Sequence, residues 1–219
     1  MRADAIVALA RHDLDDVAEP YLWTTPHLLG LVAEAQQEAC MRADLLWDAT
    51  SAFCTLAVAP AAVSVPLDSR ISRIVWAGWD NGTTVTPIGP MDEREAERNT
   101  PMWRSHTGNP NAFIQKPNAV RLYPAPAAAG TLRIEVFRQP LLTTLVAAST
   151  LEVPDRHATM LNDWVVHRAF MTRDSDKRAR ELSADALARF TANFGPRPNV
   201  AAQVSRQLRR DTTVRPEGF

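Results

Sequence analysis

The sequence is poor in residues that would place it in a specialised structural class. It has two cysteines in 219 residues, Cys40 and Cys54, and their spacing is not that of a CxxC pair. This excludes a disulfide-dense fold and a cysteine metal framework, and we expect two buried thiols. No stretch approaches the roughly 18 apolar residues of a membrane helix. The N-terminus lacks the apolar run of a signal peptide, so we expect a protein made in the cytoplasm, with no membrane partner.

An excess of charge of either sign is also missing. The 24 basic and 25 acidic residues give a formal net charge of −1, so no overall field attracts the chain to nucleic acid or to an anionic membrane. Lysine contributes two of the basic residues, and arginine the other 22. This bias has two interpretations, a genome rich in arginine codons or an enrichment of arginine at protein interfaces.

Motifs of catalysis and metal binding are absent. The five histidines form no HExxH pair, and each is expected at the surface or at a helix end. There is no GxSxG nucleophile motif or P-loop, and the acidic clusters lack the register of a calcium loop. We therefore predict no enzyme activity, no cofactor and no metal. The histidines are His12, His27, His106, His157 and His167.

Helical patterns lie at both ends of the chain. After a short helix from residue 3, the clearest helix follows a predicted N-cap at Thr25 with Pro26 in its first turn. Apolar residues recur at three- and four-residue spacing, which predicts one buried stripe. The polar residues between them are expected to meet solvent or a neighbouring subunit. The stripe contains Leu28, Leu29, Val32, Ala35, Ala39 and Ala43, and the polar face Gln36, Gln37, Glu38 and Arg42.

The middle of the chain alternates with period two, which indicates strands. Asn81-Gly82 is typical of a two-residue hairpin turn. Two further helices follow, and Gly195 is placed to end the second. The predicted fold class is α+β, a helical bundle with an inserted antiparallel β-sheet or sandwich and an extended C-terminal arm. The predicted segments are N-terminal helices (1–50), the β region (51–150), C-terminal helices (151–195) and the arm (196–219).

The tryptophans leave a second function open. Trp76, Trp79 and Trp103 lie in the predicted β region, where exposed rings would suit a carbohydrate-binding module. Large aromatics at alternating strand positions also fill cores and interfaces. A hydrolase using His106 with a nearby carboxylate is a third possibility, but no nucleophile is paired with it by spacing.

Several phrases resemble one family. "YLWTTPHLLGLVAEAQQEACMRADLL" is similar to its opening helix, of the form LxxLxNEAQxEAxRRxxLL. "TPMWRSHTGNPNAFI" resembles its W-x-x-x-x-G-x-P-x-x-[YF] phrase, and strands ending "RLYPAP" and "VFRQP" follow in the same order. "EVPDRHATMLNDWVVHRAFMTRDSD" and "FTANFG" complete the match. On these residues the chain resembles the head-to-tail adaptors of short-tailed bacteriophages, related to the tail tubular protein A group.

The resemblance implies a structural virion protein at the head-tail junction. It implies a homo-oligomeric ring, expected to be a dodecamer, between the portal protein and the tail nozzle protein. Genomic DNA would pass through its lumen without sequence-specific binding. The arm would bind the portal, and a rim around the central phrase would meet the nozzle or a neighbouring subunit. The expected arm contacts are Arg197, Arg206, Arg209, Arg210 and Arg215, and the expected rim contacts Trp103, His106, Asn109 and Phe113.

Overall fold

The computed structural model describes residues 1–172 and 177–199. Two compact units divide this part of the chain. The first, the helical unit, contains residues 1–46 and 138–198. The second, the β unit, contains residues 47–137 and Asn199. The chain therefore leaves the helical unit once, forms the β unit and returns.

The helices follow the predicted pattern. Their bounds are α1 Ala3–Asp13, α2 Thr25–Arg42, α3 Glu93–Asn99, α4 Asp155–Ala158, α5 Leu161–Thr172 and α6 Lys177–Phe194. All but α3 belong to the helical unit, where α5 packs against α1, α2 and α6. The core between them includes Ile6, Leu28, Val32, Leu161, Val165 and Phe190, each fully buried. No helix among the described residues is long and apolar enough to span a membrane.

Two helix ends differ in their agreement with the sequence prediction. The N-cap of α2 is Thr24, whose hydroxyl oxygen accepts the N–H of His27 at 3.4 Å. The prediction of Thr25 was wrong by one residue, because the Thr25 hydroxyl instead accepts a hydrogen bond from Arg11. At the other end, Gly195 follows α6 with a φ of +84°, which favours glycine. The predicted termination at Gly195 is confirmed.

The β unit is built around one eight-stranded sheet. Its strands are β1 Trp47–Asp48, β2 Thr55–Val58, β3 Val65–Pro66, β4 Ile71–Asp80, β5 Val85–Pro90, β7 Ala112–Lys116, β8 Ala119–Tyr123 and β10 Gly130–Arg138. The order is β1-β10-β4-β5-β7-β8-β3, and β2 also pairs with β10. Two short strands, β6 Thr107–Gly108 and β9 Ala125–Pro126, form a separate parallel pair.

The α+β fold class is confirmed, but the sheet is mixed where the sequence predicts an antiparallel one. Strands β5 and β7 are parallel, with Gly89 opposite Ala112 and Pro90 opposite Phe113. A parallel pair needs a long crossover, usually with a helix. The stretch between β5 and β7 supplies it and contains α3, capped by the Asp92 carboxylate.

The β4–β5 hairpin is confirmed with a longer turn than predicted. Asp80 and Val85 are the last paired residues, so the loop has four residues instead of two. The side-chain oxygen of Asn81 accepts the N–H groups of Thr83 and Thr84, both at 2.9 Å. Gly82 has a φ of +88°. The Asn-Gly signal marks the turn correctly, while the Asn81 side chain sets its length.

Candidate interaction surfaces

The polar face predicted for α2 is largely internal. Gln36, Glu38 and Arg42 are buried, and only Gln37 of the four is partly exposed. The prediction that all four meet solvent or a neighbouring subunit was therefore wrong for three. Glu38 and Arg42 pair with each other, and each of the three also contacts a segment more than a hundred residues away, which the helical period of α2 cannot reveal.

Arg42 joins α2 to the C-terminal end of α6. Its Nε donates to the Glu38 carboxylate at 2.8 Å, and both side chains are almost fully buried. One terminal nitrogen donates to the hydroxyl of Thr191 at 3.0 Å and to the carbonyl of Gly195 at 3.2 Å. The guanidinium also lies 4.9 Å from the ring centre of Phe190. A cation at this position interacts favourably with the carbonyls that end a helix.

Arg197, the first predicted arm contact, lies beside the same carboxylate. Its Nε is 3.6 Å from Glu38 Oε1, and 65% of its side chain is exposed. Glu38 thus faces two arginines, one buried and one at the surface. The other predicted arm contacts, Arg206, Arg209, Arg210 and Arg215, lie outside the described residues.

Two of the predicted rim contacts are buried. Trp103 packs against Tyr123, with ring centres 5.8 Å apart, and against the guanidinium groups of Arg104 and Arg121. Phe113 belongs to the main core of the β unit. A direct contact of either ring with another protein would require this packing to open. Their role at an interface stays a prediction.

The other two rim residues, His106 and Asn109, are exposed. Strand β6 lies between them and pairs with β9, which joins the central phrase to a distant segment. The N–H of Ala127 bonds to the carbonyl of Gly108 at 2.9 Å, and the N–H of Ala61 bonds to that of Pro126 at 2.7 Å. Three loops therefore meet at one place in the β unit.

We name these three loops the uncharged tip and define it as residues 57–64, 105–110 and 124–130. They contain no Asp, Glu, Lys or Arg, although 22% of the whole chain is charged. Most of their residues are exposed, including Val63 at 61%. Depletion of charge is a property of the centre of protein interfaces. Two of the three loops could not be assigned to this surface from the sequence, because only pairing in the folded chain brings them to His106 and Asn109.

The tryptophans do not form an exposed platform. Trp79 and Trp103 are 3% and 2% exposed. Trp76 is partly buried, and its ring lies against Gly78. The Trp79 ring covers Gly130 in the same way. A carbohydrate module using exposed rings at these three positions is incompatible with this packing, and the core interpretation of Trp79 and Trp103 is confirmed.

The histidines are surface residues with one exception. His167 is buried between α5 and α6, so its predicted surface or capping position was wrong. Its Nδ1 lies 3.0 Å from the carbonyl oxygen of Ser183 and 2.9 Å from the hydroxyl oxygen of the same residue. Burial lowers the pKa of His167 below its usual value, and Arg168 and Arg42 add to the effect. Among the described residues, the exposed imidazole of His106 has no hydrogen-bond partner.

Groups suited to metal or thiol chemistry are scarce in the described chain. Residues 1–172 and 177–199 contain no cluster of three or more His, Cys, Asp or Glu that could hold a metal ion. Cys40 and Cys54 are buried and unpaired with each other, as predicted. Burial raises the pKa of the Cys40 thiol to about 12, so it remains protonated at neutral pH.

Comparison with known proteins agrees with this structural character. No individual curated protein matches the chain. The sequence matches the SU10 adaptor protein family over residues 1–216, which is nearly the entire chain. This match includes the opening helix, the β unit, the closing helices and most of the arm. The chain therefore belongs to the SU10 adaptor protein family, a family of phage adaptor proteins.

Proposed function

We propose that the protein forms a ring that connects the phage portal to the tail nozzle and extends the channel for DNA. The family match over residues 1–216 is the observation that carries this proposal. A dodecameric ring remains our expectation for the assembly. The place of action would be the virion, after assembly in the host cytoplasm.

The arm would make the contact with the portal. Residues 200–219 contain four arginines against one aspartate and one glutamate, whereas the chain as a whole is nearly neutral. Arg206, Arg209, Arg210 and Arg215 would pair with portal carboxylates, for which the planar guanidinium is well suited. Few apolar residues accompany them, so a partner surface would supply most of the stabilisation of this segment.

Truncation after Asn199 tests this assignment. The shortened chain keeps α6, Gly195 and the Glu38–Arg197 contact, so its thermal unfolding should match that of the full chain. Binding to purified portal rings should be lost. A full-length variant with the four arm arginines changed to glutamine separates charge from length and should bind more weakly, with a smaller dependence on salt. Undiminished portal binding by the truncated chain would contradict the proposal.

The uncharged tip would contact the nozzle or the next subunit of the ring. A surface without charge makes no salt bridges, so its contacts would depend on shape and on apolar burial. An arginine placed there should block such a contact because its charge would lose water without gaining a partner. Val63→Arg should therefore abolish attachment of the nozzle to portal–adaptor complexes or prevent ring closure.

A matched control comes from the same unit. Val85 is 42% exposed and lies outside the uncharged tip, at the start of β5. Val85→Arg should leave ring formation and nozzle attachment unchanged. Negative-stain imaging of both variants with portal and nozzle separates the two predicted contacts. Equal assembly by Val63→Arg and Val85→Arg would exclude the tip as an interface.

The channel would let DNA slide. Its wall is predicted to be neutral or acidic, because a densely basic wall would bind phosphates and retain the genome. Assembled rings should consequently bind short duplex DNA weakly and without sequence preference. Tight, strongly salt-dependent binding by the rings would argue against a passive channel.

A further inference from the structure

The arm begins at a preformed anchor in the helical unit. We define the arm root as residues 195–198, with the sequence Gly-Pro-Arg-Pro. Its first residue, Gly195, receives a hydrogen bond from Arg42, and its third, Arg197, lies beside Glu38. Both partners belong to α2, far away in the sequence. The arm root is therefore held at two points by one buried ion pair.

The electrostatics of this anchor favour two arginines around one carboxylate. Glu38 is buried, so an unpaired carboxylate there would carry a large desolvation penalty. Arg42 neutralises that charge but also donates to the carbonyl of Gly195 and the hydroxyl of Thr191, at the end of α6 where the helix carries a partial negative charge. One guanidinium thus serves two sites of negative potential. A second cation beside Glu38 is favourable, and Arg197 occupies that position.

The two prolines that flank Arg197 restrict the backbone of the arm root. Pro196 and Pro198 each fix φ near −65°, and Pro198 favours an extended conformation for Arg197 before it. Gly195 is the flexible point, because glycine adopts positive φ without strain. The hydrogen bond from Arg42 to its carbonyl and the contact of Arg197 with Glu38 lie on either side of Pro196.

We propose that Arg197 is a positioning residue: by binding Glu38 it sets the direction in which residues 200–219 leave the helical unit. It acts within its own chain, in contrast to the more distal arginines of the arm. The effect would be to hold the arm root in one orientation before any partner is bound, which lowers the entropy lost on docking. This inference does not depend on which protein the arm binds.

Distance measurement between two spin labels tests the proposal without a partner. One label is placed at Ala8→Cys, an exposed position of α1, and the other at Val200→Cys. The native thiols of Cys40 and Cys54 are buried and should not react. The full chain should give one narrow distance distribution. In Arg197→Ala the distribution should broaden about twofold, since a free segment of about five residues explores roughly 12 Å.

Three comparisons make the result specific. Arg189→Ala removes another exposed arginine, which pairs with Asp163 at 2.8 Å, and should leave the distribution narrow. Arg197→Lys keeps the charge, so its distance distribution should be narrower than that of Arg197→Ala and broader than that of the full chain. In about 1 M salt, charges more than roughly 3 Å apart are largely screened from each other. The distance distribution of the full chain should therefore broaden, while that of Arg197→Ala should not.

Thermal unfolding separates positioning from stability. Arg197→Ala should melt within about 1 °C of the full chain, because Arg197 is mostly exposed and Glu38 keeps its hydrogen bond to Arg42. Glu38→Gln should broaden the distribution as Arg197→Ala does, provided that its unfolding transition stays cooperative. Equal widths for the full chain and Arg197→Ala, whether narrow or broad, would overturn the proposal.

Discussion

The side-chain oxygen of Gln36 accepts the backbone N–H of Glu152 at 2.9 Å, across 116 residues of sequence. It also accepts the N–H of Val153 at 3.4 Å. One buried amide in α2 thus satisfies two donors of the segment that enters α4 after the β unit. Without it, these N–H groups would lie at the helical core with no acceptor, which is costly for buried donors.

Replacing Gln36 should therefore destabilise the helical unit. Gln36→Leu has a similar volume but offers no acceptor, and we expect a loss of about 2–4 kcal/mol in the free energy of unfolding. The two N–H groups cost about 1–3 kcal/mol each, and removal of the Gln36 Nε2, which is buried without a partner, offsets part of that cost. Gln37→Leu, at the adjacent and partly exposed position, should change it by less than about 0.5 kcal/mol. Urea unfolding followed by circular dichroism measures both. Equal changes in the free energy of unfolding for Gln36→Leu and Gln37→Leu would show that the hydrogen bonds of Gln36 do not contribute to stability.

Removing the arginine of the Glu38–Arg42 pair should lower the free energy of unfolding more than removing the arginine of an ion pair at the surface. Arg42→Met leaves the Glu38 carboxylate buried and takes a donor from Thr191 and Gly195, so we expect a loss of about 3–5 kcal/mol. Arg168→Met is the control, because Arg168 pairs with Glu34 where both side chains are 37% exposed. Its loss should stay below about 1 kcal/mol.

The double variant Glu38→Leu/Arg42→Met provides a separate check. It removes both charges together and should recover much of the stability lost in Arg42→Met, because no unpaired carboxylate remains. Urea unfolding measures the difference between the two variants. If the double variant were less stable than Arg42→Met, the buried charge would not be the source of the loss.

His167 should make the helical unit less stable in mild acid. Its pKa in the folded protein is lowered, mainly by burial, so the unfolded chain binds a proton at higher pH than the folded one. The stability should be constant above the ordinary histidine pKa of about 6.5 and fall as the pH decreases through that value towards the folded pKa. Thermal unfolding between pH 7.5 and pH 5 measures this decline.

Two substitutions test whether His167 causes the loss of stability between pH 7.5 and pH 5. His167→Gln removes the titrating group and should flatten the profile between pH 7.5 and pH 5. His12→Gln alters a side chain that is 83% exposed and should leave the profile as it is in the unmodified protein. A decline that persists in His167→Gln would assign it to another group.

Gly130 should not tolerate a side chain. A Cβ atom at this position would lie 2.7 Å from the carbonyl oxygen of Asp80 and closer still to the ring of Trp79. Gly130→Ala should therefore destabilise the β unit by about 1–3 kcal/mol through overpacking. Gly89 is also in a strand, but a Cβ atom added there would have no neighbour within 4 Å, so Gly89→Ala should be close to neutral. Tryptophan fluorescence during urea unfolding measures both.

The sequence predicts local structure here better than it predicts partners. The apolar stripe of α2, the Asn81-Gly82 turn and the Gly195 terminus depend on neighbouring residues, and all three are found. The polar face of α2 was misjudged because Arg42 meets Thr191 and Gly195 only in the folded chain. The parallel β5–β7 pair was missed for a related reason, since a charged helical run does not reveal that it connects parallel strands.

The phrase that suggested the family has a structural explanation. Its "EAQxE" run and the later arginine correspond to Glu34, Gln36, Glu38 and Arg42. In the structure Glu34 pairs with Arg168, Gln36 holds the segment before α4, and Glu38 with Arg42 holds the end of α6. The phrase thus encodes the connections between α2 and the C-terminal helices. The tip is not contained in a single phrase, because three separate loops form it.

The two points at which the chain leaves and re-enters the helical unit are hydrogen-bonded neighbours. The N–H of Arg138 donates to the carbonyl of Leu46 at 2.9 Å. Inserted modules whose ends lie this close can change in length, or be exchanged, without altering the host fold. The β unit can accordingly change in length or sequence while the helical unit and its arm root keep their geometry. Recombination at residues 46 and 138 would exchange the β unit for another one and preserve the helical unit.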